Sequence, residues 1–413
     1  MKKKNKNKKK NKKKNKKKWL STFVGGLLGF AVGAAGGLLM VKIADKTDSI
    51  RNGGMWTFVL NILIVLGAIY AGMFLHILVH EGGHLVFGML TGYKFNSFRI
   101  GSRILLKTEQ GLRWKKLHIQ GTAGQCLLDP PELINGKMPY VLYNLGGVLM
   151  NFLVSLICFV IGLALWKPHP CAAECFLIIT LMGCAFILLN GIPAVMGGMP
   201  NDGYNAWTIR RFPGALRAFR IQMQINQEVS RGRRLKELPE EWFQMPSDED
   251  MQNPLSAAIG VFVCNRLMDE HKFEEADHQI EKLLQTENGI IDLHRKLLAC
   301  DGILCQLLGE RNEGVLDGLL DKEQLKFMKA FGKSLLSVTR TQYGLALLKD
   351  QDTEKGEELR KRFEKQAKVY PYESDIQSER ELMDQIDISF KEQTGQTIGP
   401  EKEITYETGS KRS

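Results

Sequence analysis

Residues 55–90 read MWTFVLNILIVLGAIYAGMFLHILVHEGGHLVFGML, and the first 25 of them carry no formal charge. At about 1.5 Å of rise per helical residue, such a run crosses roughly 30 Å of hydrocarbon. It ends in His80-Glu81-Gly82-Gly83-His84. Positions i and i+4 of a helix share a face, so His80 and His84 can grip one Zn²⁺ ion. Glu81 then lies beside the metal, where it can take a proton from a water that the metal has acidified to a pKa of about 7. Such machinery performs hydrolysis, and ionisable groups at membrane depth are costly enough to mark function. The two glycines each cost a helix about 1 kcal/mol relative to alanine, which points to another backbone in close approach. His76 lies one turn earlier on the same stripe. Three imidazoles climbing about 6 Å per step cannot converge on one tetrahedral ion, so His76 is read as a packing or supporting residue.

Three further apolar runs are long enough to span, at residues 20–41, 141–166 and 172–189. The expected fold is an α-helical polytopic membrane protein with about four transmembrane helices. Short alternating pieces around Phe98-Arg99-Ile100, Ile104-Leu105-Leu106 and residues 112–119 predict a small β-hairpin between helices two and three. An exposed strand edge there could bind an extended peptide. In the first run Gly25, Gly29, Gly33 and Gly37 recur every four residues, a face that lets a neighbouring helix come close.

The whole-chain charge of +11 is carried by a leader: residues 1–18 hold 13 lysines and no acid, so the rest is slightly acidic. Self-repulsion predicts a disordered tail. Apolar sequence begins at once at Trp19, which argues for a cytoplasmic anchor at anionic lipid headgroups and against a nucleic-acid partner. Counting crossings from a cytoplasmic tail puts the loops bearing Arg99, Arg103, Lys107, Arg113, Lys115 and Lys116, and then Arg210 and Arg211, on the cytoplasmic side with HEGGH. The expected location is the cell membrane, and the asparagine and lysine richness of the tail points to a bacterium. Eight scattered cysteines suggest no disulfide framework.

A catalytic zinc needs a third protein ligand and an open position. Asp202, in Asn201-Asp202-Gly203 just past the fourth apolar run, is the best candidate, although Asn-Asp-Gly also makes an ordinary turn. At this point the chain resembles the site-2-protease-type intramembrane metalloproteases of peptidase family M50. The family's HExGH stands as His80, Glu81, Gly83 and His84. Its middle motif stands as Gly147-Val148-Leu149-Met150-Asn151, with Val148 where proline is usual. Its late motif stands as Asn190, Pro193, Asp202 and Gly203, with about four extra residues between Pro193 and Asp202. The resemblance covers residues 55–210. It implies a three-helix core with one Zn²⁺ per chain held by His80, His84 and Asp202, Glu81 as general base, and Asn151 positioning substrate or steadying the oxyanion. An interhelical hydrogen bond from Asn151 is the other reading.

After Asp202 the composition turns charged. Residues 211–250 read as a linker with an amphipathic basic helix, 251–393 as an all-α soluble cytoplasmic domain, and 394–413 as a polar tail. Residues 256–284 resemble a tetratricopeptide-type helical hairpin, repeated weakly at 344–371, and such a solenoid takes a protein partner on its concave side. The expected activity is zinc-dependent endopeptidase action on a membrane-embedded protein or peptide: a tethered regulator, a remnant signal peptide or a peptide precursor. The rival is a non-proteolytic membrane scaffold that recruits a cytoplasmic partner. A structural metal does not need Glu81, which favours the enzyme.

Overall fold

The computed structural model describes residues 54–108, 110–117, 122–196 and 199–396, together with Gly37. The lysine tail, the first apolar run apart from helical Gly37, and the last 17 residues lie outside the described residues.

Among the described residues, three helices are long and apolar enough to cross a membrane: α1 (Gly54–Leu90), α2 (Val141–Leu165) and α3 (Pro170–Gly191). They are the second, third and fourth of the expected spans. Their packing inverts the pattern of a water-soluble bundle. On α2 the buried residues are Tyr143, Asn144, Gly146, Gly147, Asn151, Ser155, Cys158 and Gly162, a stripe of small and polar groups at helical spacing. Phe152, Leu156, Ile157, Phe159, Val160 and Leu163 face outward. With lipid as apolar as leucine, burying leucine between such helices gains little, so small residues and hydrogen bonds make the contact. Gly83 and Gly146 mark the closest approach of α1 and α2, where a Cβ on either would run into the other's carbonyl.

Between α1 and α2 the chain forms a four-stranded antiparallel sheet where a hairpin was expected. Its strands are β1 (Lys94–Ile100), β2 (Arg103–Thr108), β3 (Gly111–Lys116) and β4 (Gly124–Asp129), in the order β3-β2-β1-β4. Phe98 pairs with Leu105 on one side and Cys126 on the other. The outer strand β3 exposes Leu112 and Trp114, whereas Cys126 and Leu128 of β4 are buried. These two join Tyr93, Met138, Tyr143, Ile209, Ala215, Phe219 and Met223 in one apolar cluster. Two hydroxyls are satisfied at its edge, Tyr143 donating to the Cys126 carbonyl at 3.0 Å and Tyr93 to Pro139 at 2.6 Å. Beyond α3 lie a short ribbon, β5 (Val195–Met196) with β6 (Met199–Pro200), then α4 (Asp202–Arg211) and α5 (Pro213–Ser230). The stretch read as a linker thus contains α5, which supplies Ala215, Phe219 and Met223 to that cluster.

The described chain divides into two compact units, one comprising the parts above with Leu238–Val263 and Glu287–His294. The other contains Arg234–Glu237, Cys264–Thr286 and the chain from Arg295 onward. It is helical: α6 (Pro254–Asp269, shared with the first unit), α7 (Phe273–Gln285), α8 (Asp292–Leu308, also shared), α9 (Glu313–Leu319), α10 (Lys322–Phe331), α11 (Leu336–Gly344), α12 (Thr353–Ala367) and α13 (Glu373–Thr394). Leu298, Ile303, Leu304, Tyr343, Leu347, Phe363 and Ile386 fill its core.

Candidate metal centre

The site is assembled from α1, α2 and α4. His80 and His84 project one turn apart from α1, and both are more than nine-tenths buried. Asp202 opens α4, and the residue before it fixes where that helix begins. Asn201 is its N-cap, accepting from the Tyr204 N–H at 2.9 Å and from Ala194 N–H at 3.1 Å. The Asn201 amide also donates to the carbonyls of Leu189 and Ile192, both at 2.6 Å. One side chain therefore ties the end of α3 to the start of α4. The extra residues after Pro193 form the β5–β6 ribbon, whose base closes with Asn201 N–H on the Ala194 carbonyl at 3.0 Å. An insertion that looked like a displacement of Asp202 is absorbed as a side loop.

Asp202 Oδ2 lies 2.9 Å from His80 Nε2 and 3.4 Å from His84 Nε2, and the two ring nitrogens are 3.3 Å apart. Ligand atoms of all three residues fall within 4.8 Å of one another. The proton inventory explains what such a cluster wants. His84 Nδ1 is 2.7 Å from the Tyr143 carbonyl, which can only accept, so Nδ1 carries a proton and Nε2 is the ring atom left to ligate. Burial raises the Asp202 carboxyl, yet His84 and His80 outweigh it and hold the group well below the usual carboxylate range. An anionic oxygen and lone-pair nitrogens at this spacing form a donor set that suits Zn²⁺ with an open position, so the residues fit the ion.

Room for the rings comes from glycine. A Cβ at Gly147 would stand 2.6 Å from His80 Nδ1, so the imidazole lies flat against α2 only because that position has none. One turn on, Asn151 is fully buried, with its Nδ2 3.1 Å from His80 Nδ1. Its Oδ1 is 3.1 Å from Nδ1 of His76, whose Nε2 is 3.0 Å from the Ile179 carbonyl. The structure thus gathers five of the residues singled out in the sequence: His80, His84 and Asp202 share a centre, Asn151 backs His80, and His76 backs Asn151 from outside the ligand group.

Glu81 leans against the sheet. A Cβ at Gly124, the first residue of β4, would be 2.6 Å from Glu81 Oε1. Arg99 pins that strand, donating to Gly124 O at 3.0 Å, Gly101 O at 2.8 Å and Thr122 Oγ1 at 2.5 Å. Sequence reasoning counted Arg99 as a cytoplasmic loop charge. At 1% exposure it is an internal brace instead, and Gly124 was missed because nothing in GTAGQCLLD marks its partner.

A family model for peptidase family M50 matches residues 68–348, well past the 55–210 on which the motif resemblance rested. No curated protein and no solved structure matches. A match over more than half of the sequence, joined to the His80-Glu81-Gly82-Gly83-His84 geometry, assigns this chain to peptidase family M50.

Proposed function

We propose that the chain is a zinc-dependent intramembrane endopeptidase of the site-2-protease type, cutting a peptide bond in or near a transmembrane segment. The carrying observation is the convergence of His80, His84 and Asp202 ligand atoms within 4.8 Å, with the Glu81 carboxylate beside them against β4. When bound, the ion supplies Lewis-acid chemistry that makes water nucleophilic at neutral pH. Glu81 takes a proton from the attacking water as the new C–O bond forms. It then returns that proton to the amide nitrogen as the C–N bond breaks and the amine leaves. The apolar helices around the site keep bulk water away, so each of these charges acts in a medium of low dielectric.

Substrates of this reading are membrane-tethered regulators, remnant signal peptides or peptide precursors. The lysine leader argues for a cytoplasmic N-terminus at anionic headgroups, with HEGGH near the cytoplasmic face and the helical half on the same side, free to take a protein partner. The test is cleavage of membrane peptides by detergent-purified protein. Glu81→Gln should lose about 10²–10⁴-fold in rate. Undiminished cleavage by that variant would overturn the proposal and leave the scaffold reading.

A further inference from the structure

The hydrogen-bonded row from His76 to His80 has two proton orders, because turning the Asn151 amide by 180° exchanges its donor and acceptor within the same volume. In the first, Asn151 Nδ2–H donates to His80 Nδ1 and Oδ1 accepts from His76 Nδ1–H. His80 then carries its proton on Nε2, the atom that faces His84 Nε2 and Asp202. A proton there blocks a metal bond. In the second order, Oδ1 accepts from His80 Nδ1–H, Nδ2–H donates to His76 Nδ1, and His80 Nε2 is left with its lone pair.

The Ile179 carbonyl chooses between them. It accepts only, and it lies 3.0 Å from His76 Nε2, so that nitrogen must carry the proton. Neutral His76 then has a bare Nδ1, which requires the Asn151 Nδ2–H. The amide's oxygen is thereby turned to His80 Nδ1, whose proton it accepts. The first order would instead set a lone pair against a carbonyl oxygen, a buried clash that costs as much as an unmade hydrogen bond. With a cation bound by His80 and Asp202, the lone pair that this order leaves on His80 Nε2, 2.9 Å from Asp202 Oδ2, is answered as well, so one backbone carbonyl on α3 selects, through two side chains, the tautomer in which His80 presents Nε2 as an acceptor.

We propose that His76 and Asn151 are positioning residues that hold metal ligand His80 in its Nδ1–H tautomer, and that Asn151 does not act on substrate. This inference rests on the metal-centre reading above. Two independent features of the fold support it. A Cβ at Gly183 would lie 2.7 Å from His76 Nε2, so α3 keeps a notch that admits this ring. Ser155 Oγ donates to the Asn151 backbone carbonyl at 2.7 Å, and Asn151 is itself fully buried on the Nδ1 side of His80, away from Asp202.

Zinc affinity and imidazole ¹⁵N chemical shifts test the proposal on the full-length protein in detergent. Asn151→Leu, which keeps the volume and removes both hydrogen bonds, should weaken zinc binding about 10–100-fold. Asn151→Asp keeps an acceptor for His80 Nδ1–H and should stay within a few-fold of wild type. Gly183→Ala should weaken zinc by crowding both Ser155 and His76. Asn151→Leu should lose zinc affinity by a larger factor than it loses cleavage rate at saturating zinc. A rate loss of about 10²–10³ with unaltered affinity would make Asn151 an oxyanion donor and overturn the proposal. The shifts need no variant: His76 should show the Nε2–H tautomer in the wild-type protein, and the Nδ1–H form would sink the relay. Failure of wild type to bind zinc would instead discredit the metal-centre reading, which separates the two outcomes.

Discussion

Arg340, 1% exposed, lies between Asp301 at 2.6 Å and Glu379 at 2.9 Å, and Arg234 meets Asp269 and Glu381 in the same helical unit. Among the described residues, Asp202 Oδ2 faces two imidazole nitrogens and pairs with no arginine or lysine. Both regions bury carboxylates, which is tolerable only if something positive answers them. The helical half answers these four carboxylates with its own arginines. The membrane core leaves its acid and lone pairs converging on one point, and that is the difference between an ion pair that holds a fold and a donor set that waits for an ion.

The comparison breaks first at Arg340. Arg340→Met leaves Asp301 and Glu379 without their partner and should destabilise the helical half by about 3–5 kcal/mol in chemical unfolding of the purified protein. A loss under about 1 kcal/mol would mean that these acids do not need their cation, and the contrast with Asp202 would collapse.

Neighbouring glycines sharpen the picture of the core. A Cβ at Gly83 would collide with the Gly146 carbonyl and stand 2.8 Å from the Met150 Cβ, whereas one at Gly82 meets nothing within 4 Å. Gly83→Ala should therefore cost about 1–3 kcal/mol and loosen zinc by parting α1 from α2. Gly82→Ala should be neutral, or stabilise by up to about 1 kcal/mol through helix propensity. Thermal unfolding in detergent distinguishes the pair. Equal effects would contradict the helix contact described here.

A smaller effect is a matter of pH. Burial, reinforced by Glu379 and Asp269 and opposed by the Tyr370 hydroxyl, pushes the Asp375 carboxyl up from 3.8 to about 7. The folded chain thus keeps a proton that the unfolded chain releases, so the stability present below about 3.8 is lost as pH rises through about 7. Asp375→Asn stays neutral throughout. Its stability advantage over wild type should grow from about pH 4 to about pH 8, and a constant difference would discount the titration.

Much of the core was legible in the sequence because its signals are local. A charge-free run of 25 residues announces α1, and His80 with His84 announces its own geometry through helical periodicity. Asp202 was the harder inference, since its position depends on Asn201 reaching back to Leu189 and Ile192, and the four extra residues obscured it until they folded out as β5 and β6. The fourth strand escaped detection because GQCLLD has no exposed residue along its length and so lacks clean alternation. Arg99 looked like a topogenic loop charge because burial of an arginine depends on carbonyls from Gly101 and Gly124 that no short-range pattern reveals. Gly82 and Gly83 read alike in one dimension. Only the approach of α2 tells them apart.

The most direct measurement of the central claim is zinc per chain after purification and dialysis, compared among wild type, Glu81→Gln and Asp202→Asn. The account predicts about one ion in the first two and far less than one in Asp202→Asn, because removing the carboxylate's charge leaves two imidazoles to hold the metal. Full zinc content in Asp202→Asn would contradict it, since the third ligand would then have to come from elsewhere.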